Sequence, residues 1–82
     1  MTKTTVNLQA INDVKEFVNI VMKYDFDIDL VSGRYAVDAK SIMGIFTLDR
    51  EQMLSLEAET SDAAELQRLQ TAIGRFLAKP VH

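Results

Sequence analysis

The apolar residues of this chain change period abruptly between residues 22 and 26, and that change limits the folds open to it. Val14, Phe17, Val18, Val21 and Met22 recur at i, i+3, i+4, i+7 and i+8, a spacing that puts them on one stripe of a helix. Directly afterwards Phe26, Ile28 and Leu30 alternate with Asp25, Asp27 and Asp29. Successive side chains of a strand point to opposite faces, so this stretch predicts a strand from Asp25 to Val31 with one face buried. A helix stripe and a half-buried strand so close together have to share one core.

The rest of the chain fits the same scheme. Val6 and Leu8 alternate within Thr4–Gln9 and predict a first strand. Asn12 and Asp13 offer capping oxygens for the helix that follows, and Glu16 stands three residues after Asp13, as in a capping box. Ser32-Gly33-Arg34 predicts a turn, because Gly33 can take positive φ. Tyr35-Ala36-Val37 is then a short return strand. Ser41 caps a short helix through Ile42, Met43, Ile45 and Phe46. Asp49-Arg50-Glu51-Gln52 is a polar break. Leu54, Leu56 and Ala58 alternate with Ser55, Glu57 and Glu59 and predict a fourth strand. Thr60-Ser61-Asp62 caps a last helix whose Leu66, Leu69, Ile73 and Phe76-Leu77 face the core, and Pro80 stops it. The expected order is β-α-β-β-α-β-α. Two long helices cover one face of a four-stranded, mainly antiparallel sheet, giving an open-faced α+β sandwich with the short second helix at its edge.

Composition excludes several classes of function. Eighty-two residues, 48% apolar, make one domain spanning residues 1–82. There is no cysteine, so neither a disulfide framework nor a thiolate metal site is open to it. The net charge is -3 with acids and bases interspersed, whereas nucleic-acid binding calls for a basic face. No apolar run approaches the ~20 residues that span a bilayer. Met1-Thr2-Lys3-Thr4-Thr5 leads into no hydrophobic signal segment, so a cytoplasmic location is expected. Asp25, Asp27 and Asp29 do not form a calcium loop, which would need Gly in place of Leu30 and Glu in place of Ala36. Neither metal nor cofactor is expected.

Two segments carry a resemblance to a known family. Tyr24-Asp25-Phe26-Asp27-Ile28-Asp29-Leu30 resembles the start of the second strand of HPr, the histidine-phosphocarrier family of the bacterial sugar phosphotransferase system. Lys40-Ser41-Ile42-Met43-Gly44 resembles that family's regulatory-serine motif, and the spacing between the segments fits as well. The resemblance implies that Ser41 is a phosphorylation site for an HPr kinase-type enzyme as well as a helix cap. It also implies a docking patch for enzyme and regulator partners formed by Lys40, Ile42, Met43, Ile45 and Phe46. Some of these apolar residues must enter the core, and Met43 and Phe46 are expected to stay partly exposed. Lys40 is either solvated or paired with an acid of the partner.

The departure from the family lies between Leu8 and Val14. HPr has there a Gly-rich loop, then histidine, one residue, arginine and proline at the start of the first helix. This chain reads Gln9-Ala10-Ile11-Asn12-Asp13. Matched from the helix, Ala10 stands for the histidine, Asn12 for the arginine and Asp13 for the proline. Matched from the first strand, the connection is several residues short. A phosphohistidine carrier needs an imidazole nitrogen that attacks and later leaves, and it gains from helix amides and an arginine around the phosphoryl group. Ala10 has no nucleophile, and Asp13 adds a charge that repels phosphate by about 1 kcal/mol at ~4 Å in water. Asp13 as an aspartyl nucleophile would need an acidic metal pocket, which this segment does not assemble. The one histidine, His82, is terminal and follows Pro80.

The expected protein is therefore not an enzyme but an HPr relative that does not carry phosphohistidine. Its expected role is regulation, as in the Crh branch of the family, which lacks the histidine and acts through phosphoserine on a catabolite-repression regulator. The expected partner is a protein, either a kinase or a transcriptional regulator of the phosphotransferase system, with no nucleic acid and no membrane involved. Two alternatives stay open: a paralogue with an unrelated protein partner, and a small-molecule-sensing ACT-like domain of related topology.

Overall fold

The strand expected at Leu54–Ala58 turns out to be the centre of the protein. The computed structural model describes residues 2–49, 51 and 53–77. Its elements are β1 (Thr2–Val6), α1 (Ile11–Val21), β2 (Ile28–Ser32), β3 (Tyr35–Asp38), α2 (Ile42–Phe46), β4 (Leu54–Ala58), α3 (Ala63–Ala72) and a 3-10 turn (Gly74–Phe76). The sheet order is β1-β4-β2-β3 and every neighbouring pair is antiparallel. Leu54, Leu56 and Ala58 are buried, as alternation requires of a central strand covered on one face. With Val6, Ile28 and Leu30 they meet Val14, Phe17, Val18 and Val21 of α1 and Leu69, Ile73 and Phe76 of the C-terminal segment. Phe17 and Phe76 pack edge to face, 5.9 Å apart at 87°, a favoured aromatic geometry. This is the open-faced α+β sandwich that the apolar periods imply.

The structure corrects several local expectations. Helix α1 starts at Ile11, with Ala10 as its N-cap and no side-chain cap bond. Asn12 and Asp13 therefore lie inside the first turn and do not cap it. Leu8 is fully buried, so the chain must rise from the core and enter the helix within three residues, before either capping oxygen is reached. Asp13 still suits its place, because a carboxylate near a helix N-terminus meets the positive end of the dipole. Met22 is 61% exposed; it is the C-cap, and the chain turns off the stripe there. Strand β1 ends at Val6, so Leu8 belongs to the connection.

Strand β2 starts at Ile28, not Asp25, and Phe26 is half-buried against the core. The cause is local. The amides of Lys23 and Tyr24 donate back to Ile20 and Val21, and the Lys40 ammonium takes the carbonyls of Tyr24 at 2.7 Å and Phe26 at 3.0 Å. The last apolar residues also do not continue α3, which ends at Ala72; the 3-10 turn places Phe76 in the core. Asp62 caps α3 by accepting from the amides of Ala64 and Glu65. Gly33, at φ +59°, opens the two-residue loop between β2 and β3. Arg50, Gln52, Pro80 and His82 lie outside the described residues.

The uncovered face of the sheet carries a row of acids. Burial of Ile28 and Leu30 turns Asp29 outward, where its backbone partners are Asp38 on β3 and Glu57 on β4. Like charges directly opposite on paired strands destabilise them. Asp29→Lys is expected to reverse the contact with Asp38 and raise stability by about 0.5 kcal/mol, less in salt, Glu57 having a partner of its own and standing opposite Lys3 of β1. The check is a higher urea midpoint at unchanged slope; an unchanged or lower midpoint would contradict the register.

Candidate functional site

The connection between β1 and α1 forms one wall of a cleft. After β1, the Asn7 amide donates to the Phe76 carbonyl at 2.8 Å, and Val6 forms a single bridge with Leu77. These contacts bring the C-terminal turn alongside the β1–α1 connection. The resulting cleft, about 470 Å³, is lined by residues that include Gln9, Ala10, Asp13, Met53, Arg75 and Phe76. A second hollow of about 400 Å³ lies beside it, sharing Gln9 and lined also by Leu48, Asp49 and Glu51.

Arg75 sets the electrostatics of the cleft. Its guanidinium lies 4.2 Å over the Phe76 ring. One nitrogen, Nη2, reaches Asp13 Oδ1 at 3.3 Å and also contacts Glu16 Oε2. These groups are about half exposed, so their pairing is worth little to stability. Its importance is chemical: the charge of Asp13 is met by a cation from the far end of the chain. The sequence reading missed Arg75, whose partners are about sixty positions away and share no local pattern with it. Ala10 offers only a methyl group at the helix start, its backbone extended at φ -80° and ψ 145°. Among the described residues no three His, Cys, Asp or Glu side chains come together as a metal site, and Asp13 has Arg75 for its partner.

The second sequence-derived group lies on α2. Ser41 has extended backbone, and its Oγ accepts from the Gly44 amide at 3.0 Å. It is the N-cap that the sequence indicates. Gly44 allows this closeness: a Cβ there would stand 3.2 Å from Ser41 Oγ and 3.3 Å from Val37 Cβ. Ser41→Ala is expected to cost about 1 kcal/mol, read as a fall in denaturation midpoint together with faster hydrogen exchange at the Gly44 amide.

The expected docking patch is only partly at the surface. Met43 is 76% exposed, while Ile42 and Phe46 are half-buried. Ile45 is fully buried in the core, so it has no surface to give a partner and leaves the docking set. Lys40 is half-buried, with two of its ammonium hydrogens engaged within the chain. Its ammonium points inward to the Tyr24 and Phe26 carbonyls and ties the start of α2 to the loop before β2. Two apolar residues that the sequence reading did not select stand exposed at the cleft end: Ile11, next to Ala10, at 57%, and Met53 at 56%. Ile11 keeps the period of the α1 stripe but overhangs the core.

The fold and this pair of sites define a small open-faced sandwich with a helix start beside its first strand and a serine-capped short helix. Comparison with known proteins gives it a family. Residues 6–78 match the family model PTS-HPr, described as the PTS HPr component phosphorylation site. Among solved structures, the phosphocarrier protein HPr from Bacillus anthracis is 31% identical, with 87% of this chain and 94% of that one covered at a TM-score of 0.68. HPr-C-His from Thermoanaerobacter tengcongensis is 26% identical, with 90% and 97% covered at 0.66. Crh from Bacillus subtilis, at 23% identity, 90% and 88% coverage and a TM-score of 0.64, shares the fold. No curated protein sequence matches the chain. The chain belongs to the HPr family of the phosphotransferase system, whose members are phosphocarriers rather than enzymes and interact with other proteins of that system. This membership replaces the ACT-like alternative. Among the described residues no helix is long and apolar enough to cross a membrane.

Proposed function

We propose that this HPr-family chain works as one domain over residues 1–82, does not carry phosphohistidine, and acts by binding another protein. One observation carries the reading: α1 starts at Ile11 with Ala10 as its N-cap, so the residue we match to the family histidine offers only a methyl group, and the nearby Arg75 is already engaged by Asp13 and Glu16. A carrier needs a nucleophile there and donors left available for phosphate. The chain is itself no enzyme, and its place is the cytoplasm, where its family partners work.

The regulatory face is α2. Ser41 is the phosphorylation site, and the modifying enzyme is a kinase of the HPr kinase type. A phosphate at this N-cap adds acceptor oxygens beside the Gly44 amide and suits the positive end of a helix. Met43, with the exposed parts of Ile42 and Phe46, makes the apolar contact with a kinase or a transcriptional regulator of the phosphotransferase system, and methionine adapts well to such surfaces. Lys40 shapes this face from behind by holding the Tyr24–Phe26 loop.

The test is intact-mass analysis after two separate incubations. Phosphoenolpyruvate with the general phosphotransferase enzyme is expected to add no phosphate. ATP with HPr kinase is expected to add one phosphate, which Ser41→Ala abolishes. Label from phosphoenolpyruvate would overturn the non-carrier reading. A chain left unmodified by ATP and kinase would remove Ser41 from it and leave a paralogue with an unrelated partner.

A further inference from the structure

We draw no further inference here: the strongest candidate, the row of carboxylates Glu57, Asp29 and Asp38 across the uncovered face of the sheet, is an acidic cluster, and nothing in the structure shows what covers it.

Discussion

Ala10→His is expected to accept no more phosphate from phosphoenolpyruvate and the general phosphotransferase enzyme than the unaltered chain. The substitution places an imidazole at an exposed N-cap, where the fold readily accommodates it. The surroundings stay wrong for a phosphoryl group. Asp13 keeps a carboxylate in the first turn, and Asn12 beside it brings no positive charge. Arg75 is held by Asp13 and Glu16. A dianion at this point would meet fixed negative charge before it met a free guanidinium. Intact mass after a time course, with the Bacillus anthracis HPr as positive control, reads the outcome. Label on the introduced imidazole at a rate near the control's would show that one lost side chain is the whole difference. Background label is the expected result and supports the proposal that an imidazole at Ala10 alone does not make a carrier.

Phe17→Ala is expected to give the largest loss of stability among single substitutions, about 3–5 kcal/mol. Phe17 is fully buried in the middle of α1 and sits edge-on to Phe76. Removing the ring leaves a cavity between the sheet and both covering elements, which a packed core closes only in part. Small domains hold about 5–15 kcal/mol in total, so much of the protein would unfold well below the wild-type midpoint. Urea denaturation followed by far-ultraviolet circular dichroism measures this, and Phe17→Leu should recover most of the loss. A cost below about 1 kcal/mol would mean that Phe17 is not the core residue described. The substitution should also loosen the cleft, because Arg75 rests on the Phe76 ring that Phe17 supports.

Most of the architecture was legible because burial leaves a period in the sequence. The stripe of α1 and the alternation of β4 each state which face is covered, and two covered helices with four half-buried strands leave few arrangements. The errors fall where one local signal competes with another. Asn12 and Asp13 are good capping residues, yet the burial of Leu8 starts the helix sooner. Asp25–Asp27 continues the strand alternation, yet Lys40 draws the Phe26 carbonyl, and that of Tyr24 just before the segment, away from the ladder. Ile45 and Met43 belong to one short motif and look equivalent in it, but a five-residue helix turns one into the core and the other to solvent. At the site, Ala10, Asp13 and Ser41 could be picked out from the segment itself. Arg75 could not, because a surface ion pair between distant residues has no period and no fixed spacing.

The position of β4 has a consequence for how the chain becomes a folded protein. β1 and β2 are made first, but neither is the other's neighbour; both pair with β4, which lies between them. The β2–β3 hairpin can form early, while the N-terminal strand has no strand to pair with until residues 54–58 have been synthesised. Sheets assembled from distant partners close slowly, and an unpaired strand is open to pairing with other chains meanwhile. Fragments ending before Leu54 should therefore aggregate rather than fold, and the last third of the chain completes the sheet begun by residues 2–6.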